Sequence, residues 1–99
     1  MDIEMLSVAR GDVMSLSQTW KALSDPTRRE IIELLKQGKM SAGDISDHFS
    51  ISNATISHHL SILKQADLIC DEKIGKYIYY ELNASVIDEM INWITSLRG

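Results

Sequence analysis

Apolar residues recur at helical spacing in several separate stretches of this chain and alternate at strand spacing in one. The spacing of Leu16, Trp20 and Leu23 predicts a first helix over Ser15–Leu23. Ser24-Asp25-Pro26 breaks and restarts the pattern. Asp25 is a capping residue type, and Pro26 falls at the first helical position, where the N–H it lacks would have had no partner. The second helix runs to about Gln37 with Ile31, Leu34 and Leu35 inward, and Gly38 closes it. Ser41 heads a short third helix reaching Phe49, with Asp44 at the reach-back position of a capping box and Ile45 and Phe49 as core contacts. After a turn at Ser50-Ile51-Ser52, Ser52 caps a fourth helix from Asn53 to Ala66. Its residues Ile56, Leu60 and Leu63 share one face, whereas Asn53, Ala54, Ser57, His58 and Ser61 lie away from it.

The pattern then changes period. Leu68–Lys73 and Lys76–Leu82 read as two strands joined at Ile74-Gly75, with glycine where a positive φ is wanted. Ile78, Tyr80 and Leu82 share one face of the second strand, opposite Tyr77, Tyr79 and Glu81. Asn83 caps a last helix in which Val86, Ile87, Met90, Ile91, Trp93, Ile94 and Leu97 form a stripe wider than one small core requires. The predicted fold is mainly α with a small β-hairpin: a winged helix-turn-helix of five helices and a two-stranded wing. Residues 1–14 form an N-terminal arm or extension, and residues 15–99 form the domain, with dimerisation helices at 15–23 and 84–97. A core built from 99 residues is marginal, and pairing with a second copy is a common remedy. The expected homodimer interface comprises Leu16, Trp20, Val86, Met90, Trp93, Ile94 and Leu97.

A helix-turn-helix followed by a wing places its second helix in the DNA major groove. The expected contacts are Ser52, Asn53, Ala54, Thr55, Ser57, His58, Ser61 and Lys64 on the fourth helix, with Lys73 and Lys76 on the wing. A merely solvated helix favours Glu, Lys and Gln. Ser, Asn, Thr and His are poorer helix formers but good partners for bases and phosphates. The net charge of −4 excludes a generic basic nucleic-acid binder. However, no acid lies between Asp47 and Asp67, so a local face can approach phosphates. The sequence holds no glycine-rich phosphate loop, positioned nucleophile or His-Glu metal motif, which argues against an enzyme. His58 and His59 are adjacent on a helix and cannot chelate one ion together, so neither a metal nor a cofactor is expected. Cys70 is expected to be a buried, inert thiol, and the tyrosine cluster to pack the hairpin. One of Arg28 and Arg29 should make structural hydrogen bonds at the corner between the first two helices. The single cysteine, the acidic opening residues and the lack of a membrane-length apolar run point to the cytoplasm. The expected function is a sequence-specific DNA-binding repressor. The alternative is a winged-helix module that binds protein through the same face, without operator binding; steep salt dependence separates the two.

Three motifs in order resemble the ArsR (SmtB/ArsR) family of winged-helix repressors. Ala22-Leu23-Ser24-Asp25-Pro26-Thr27-Arg28-Arg29 resembles its opening, Ser52–Leu60 with Leu63 its recognition helix, and Gly75–Asn83 its wing. The resemblance implies a homodimer that represses from double-stranded operator DNA near its own promoter and is released by an effector. Metal-sensing members carry a cysteine pair in the third helix, or His and acidic ligands in the last. This chain has no cysteine in the third helix, and Asp88 and Glu89 but no histidine in the last. It is similar in this to a member lacking both sets, which implies inactivation by a membrane partner that sequesters the repressor. The resemblance begins at about Ser15, directly after Met14. Arg10-Gly11-Asp12 is encodable by AGA-GGT-GAT, which resembles a ribosome-binding site before a Met14 start. Two readings of residues 1–13 therefore stand: untranslated leader, or an arm that extends the first helix or packs on the partner subunit through Met5, Leu6 and Val8.

Overall fold

The computed structural model describes residues 16–99. Ser15, the arm at 1–14 and both readings of residues 1–13 lie outside the described residues. Helix α1 covers residues 16–22. It is followed by α2 (Pro26–Leu35), β1 (Met40–Ser41), α3 (Ala42–Ser46), α4 (Asn53–Gln65), β2 (Ile69–Ile74), β3 (Tyr77–Leu82) and α5 (Ala84–Ser96). No helix among the described residues is long and apolar enough to cross a membrane.

The helix starts follow the expected chemistry. Asp25 accepts from the Arg28 N–H at 3.1 Å, with Pro26 at the first position. Ser41 Oγ accepts from the Asp44 N–H and Ser52 Oγ from the Thr55 N–H, both at 3.1 Å. The Arg28 N–H bond is the main reason the Asp25 carboxyl sits below its ordinary value of 3.8; partial burial opposes it and the Arg28 charge adds to it. The stability this carboxylate contributes is therefore complete above the ordinary value and lost as pH falls through its folded value. Asp25→Ala should lower stability by about 0.5–2 kcal/mol at neutral pH. In urea melts that deficit should shrink as pH drops below 3.8; a deficit constant with pH would contradict the assignment.

Other boundaries differ from expectation. Helix α2 ends at Leu35 rather than Gln37, and Gly38 takes φ +123° as the chain leaves it. The wing is shifted by one residue: Ile74 pairs with Tyr77, so the turn is Gly75-Lys76, not Ile74-Gly75. Gly75 has φ +63° while Lys76 does not have positive φ, the sign pattern of a type II′ turn with glycine first. A third strand is present beyond the expected two. β1 pairs with β3 through Met40↔Tyr80 and Ser41↔Tyr79, giving the antiparallel order β1-β3-β2. Two residues carry too little alternation to announce a strand.

Helix α4 ends in a Schellman motif. Asp67 adopts φ +60°, its N–H bonds to the Lys64 carbonyl at 3.0 Å, and the Leu68 N–H bonds to the Leu63 carbonyl at 3.1 Å. Asn83 stands at the start of α5 but makes no side-chain cap there. Its amide instead donates to the Asp67 carbonyl at 2.9 Å, holding the exit of α4. The core gathers Ile31 and Leu35 of α2, Ile45 of α3, Ile56, Leu60 and Leu63 of α4, and Leu68 and Ile69 entering the wing. Leu16, Val86 and Met90 close it from α1 and α5. Thr19 is the one buried polar residue among those described, and its hydroxyl donates to the Ala66 carbonyl at 3.1 Å, joining α1 to the end of α4.

Candidate nucleic-acid interface

The inner face of α4 is fixed by Ile56, Leu60 and Leu63, each no more than 2 % exposed. With that face buried, the helical period turns Asn53, Ala54, Ser57, His58 and Ser61 outward, and all five are exposed. Asn53, Ser57 and Ser61 keep their side-chain hydrogen-bonding capacity, because no partner among the described residues takes it. Ser52 and Thr55 are differently placed. The Ser52 hydroxyl caps the helix and also shares a 2.8 Å hydrogen bond with the Thr55 hydroxyl, so these two shape the start of the helix.

Lys64 is committed too. It forms a 2.9 Å ion pair with Asp71 of β2, which ties the last turn of α4 to the base of the wing. That bond and the Asp71 charge raise the Lys64 pKa. Asp71 was not foreseen, because the pairing spans a helix end and a strand start. Lys39 of the loop before β1 makes a similar 3.0 Å pair with Glu72, so the acids of β2 are partly neutralised from both sides. Lys73 lies exposed on β2, and Lys76 sits in the turn with its ammonium 5.6 Å from the Tyr77 ring centre. Neutralising Lys73 or Lys76 should weaken binding to all DNA sequences alike and lower the salt slope by roughly one. A loss confined to one base position of the duplex would contradict a phosphate role.

The structure corrects the reading of Cys70. The thiol is exposed: only Ile69 of β2 is buried, and the next residue along a strand points to the other face. Ile78, expected on the packed face with Tyr80 and Leu82, is 42 % exposed because it lies out along the wing. Both arginines at the α1–α2 corner are structural. Arg28 Nε donates to the Ala22 carbonyl at 2.6 Å and Arg29 Nη1 to the Leu23 carbonyl at 2.7 Å.

The expected dimer residues separate into two groups. Leu16, Val86 and Met90 are 7–9 % exposed and belong to the core of this chain. Trp20, Trp93, Ile94 and Leu97 are 37–67 % exposed, and Trp20 meets Trp93 with ring centres 6.2 Å apart. Ile91, in the stripe but outside the expected set, is also exposed. Helices α1 and α5 thus present one apolar face, with Trp20 of α1 against Trp93 of α5.

The sequence pattern described as "Bacterial regulatory protein, arsR family" matches residues 25–70, from the cap of α2 into β2. The transcriptional repressor SdpR of Bacillus subtilis is 56 % identical over 79 residues, covering 80 % of this chain and 88 % of that one. The chain belongs to the arsR family of bacterial regulatory proteins. An arsR-family membership agrees with the reading against an enzyme. An ArsR-like transcriptional regulator from Rhodococcus is 26 % identical over 88 % of this chain and 82 % of its own, with a TM-score of 0.80. A homodimeric winged helix-turn-helix DNA-binding domain from Mycobacterium bovis shares the fold at 20 % identity, with a TM-score of 0.74 over 97 % and 87 % of the two chains. Within that winged helix-turn-helix fold, the β2–β3 hairpin is the wing.

Proposed function

We propose that this arsR-family protein is a homodimeric, sequence-specific transcriptional repressor that reads operator DNA with α4. The observation that carries this reading is the division of α4 into a fully buried apolar face and an exposed face of Asn53, Ala54, Ser57, His58 and Ser61. Small hydrogen-bonding side chains on a rigid helix suit base edges in the major groove. The similarity to a transcriptional repressor over most of the chain supports the repressor role. The exposed apolar face of α1 and α5, together with the homodimeric relative of the same fold, supports the two-fold pairing. A dimer of this kind sets two α4 helices into successive major grooves, roughly 34–36 Å apart.

The reading includes repression of its own promoter, work in the cytoplasm, and release by an effector or by a membrane partner that sequesters it. The missing cysteine pair in α3 and the missing histidine in α5 support a signal other than metal. The test is direct. A duplex selected from random-sequence DNA serves as operator, and affinity is followed by fluorescence anisotropy. Ser57→Ala and His58→Ala should each weaken binding by about 1–3 kcal/mol while leaving the fold and dimer intact. Unchanged affinity in both variants would remove α4 as the reading helix.

A further inference from the structure

Besides the Lys64–Asp71 pair to the wing, two polar contacts on one face tie α4 to α1 and α2. At its end, the Ala66 carbonyl accepts from Thr19. Seven positions earlier, two turns along the helix, His59 meets Arg28: their Nδ1 and Nη1 atoms are 3.2 Å apart. The His59 side chain is only 13 % exposed. Arg28 is itself anchored. Its Nε donates to the Ala22 carbonyl at 2.6 Å, and its backbone N–H donates to the Asp25 carboxylate at 3.1 Å. That carboxylate lies 3.9 Å from the same His59 nitrogen.

We propose that Arg28 and His59 form a clasp that fixes the rotation of α4 about its axis, making His59 a positioning residue for the DNA-reading face. The inference rests on the DNA-reading role argued above. The guanidinium has donors and no acceptor, so His59 Nδ1 must accept. The ring is therefore the neutral Nε2–H tautomer. This sets the orientation of the His59 ring, and the adjacent His58 ring stands 6.2 Å away, tilted by 51°. The apolar contacts of Ile56, Leu60 and Leu63 hold α4 against the core but are non-directional. A hydrogen bond to an anchored guanidinium supplies the direction. Small rotations of α4 would carry Ser57, His58 and Ser61 away from the base edges they address.

Two measurements on the full-length protein test this. The first is the tautomer, read in the DNA-free protein from the ¹⁵N shifts and long-range couplings of the His59 ring. The expected result is Nε2–H with an unprotonated, hydrogen-bonded Nδ1; an Nδ1–H tautomer would overturn the clasp. The second is affinity for the selected operator duplex. His59→Leu removes the acceptor and should weaken operator binding about tenfold, with the salt slope unchanged because no phosphate contact is lost. His59→Asn restores an acceptor oxygen near the Nδ1 position and should recover most of that loss. Circular dichroism and sedimentation identify any variant that is unfolded or unpaired, and the His59→Asn comparison then decides. Wild-type affinity in folded His59→Leu, or a folded His59→Asn no better than His59→Leu, would overturn the positioning role. A wild-type protein that selects no duplex would remove the DNA reading and the positioning role together, while the tautomer still tests the contact itself.

Discussion

Ile94→Asp should give a folded monomer that has lost operator binding. Ile94 lies on α5 with 47 % of its surface exposed, beside Trp93, Ile91 and Leu97. A carboxylate there leaves the chain's own core untouched but cannot be buried against a second copy without a partner. The dimer should fail while the fold persists. One recognition helix then contacts one half-site, and the advantage of simultaneous engagement, commonly about 10²–10⁴-fold, is lost. Sedimentation at micromolar concentration and anisotropy with the selected duplex check the two halves of this statement. A dimeric Ile94→Asp protein would place the interface elsewhere. Met90 is no substitute in this experiment. It is 9 % exposed and packs with Val86 in the core, so Met90→Asp should unfold the protein rather than separate two folded copies.

The second large effect is on stability. Leu63 is fully buried on the inner face of α4, in the cluster with Ile56, Leu60 and Ile31. Leu63→Ala should cost about 2–5 kcal/mol, as other buried Leu→Ala changes do. A small domain has only about 5–15 kcal/mol in hand, so the urea midpoint should fall far below that of the wild type. Ser61→Ala, two residues away on the exposed face, should change stability by less than about 0.5 kcal/mol. If both substitutions cost the same, the division of α4 into a buried and a reading face is wrong.

Much of this architecture was legible because it rests on local rules. Ser41, Asp25 and Ser52 cap helices as their side-chain chemistry dictates, and the 3.6-residue period of Ile56, Leu60 and Leu63 separates the two faces of α4. What was not legible depends on contacts between distant residues. Strand β1 exists because β3 offers it hydrogen bonds at Tyr79 and Tyr80, not because Met40 and Ser41 have a pattern of their own. Asn83 is a good capping residue, yet it is drawn to the Asp67 carbonyl, which the Schellman turn exposes nearby. Cys70 follows Leu68 and Ile69 in an apolar run, and only the packing of β2 shows that Ile69 is its last buried residue and that Cys70 is exposed. The shift of the wing turn by one residue has the same origin, since either Ile74-Gly75 or Gly75-Lys76 satisfies the glycine rule and the register of β2 with β3 decides.

The candidate site was legible in its helix and less so in its supports. The outward residues of α4 follow from periodicity, whereas the Lys64–Asp71 pair and the Arg28–His59 contact join residues from different elements. The stripe on α5 announced excess apolar surface, but Val86 and Met90 could not be told from Ile91 and Ile94 without knowing how the helix rolls on the core.

The central claim is that this chain recognises a DNA sequence, and a paired salt titration tests it most directly. Affinity for the selected operator duplex and for a scrambled duplex of the same length and composition is measured by anisotropy across a range of salt concentrations. Both affinities should fall as salt rises, through release of counterions from the phosphates. The operator should nevertheless stay at least about 10³-fold tighter than the scrambled duplex near physiological salt. Equal affinity for the two duplexes at every salt concentration, or binding to neither, would contradict the account.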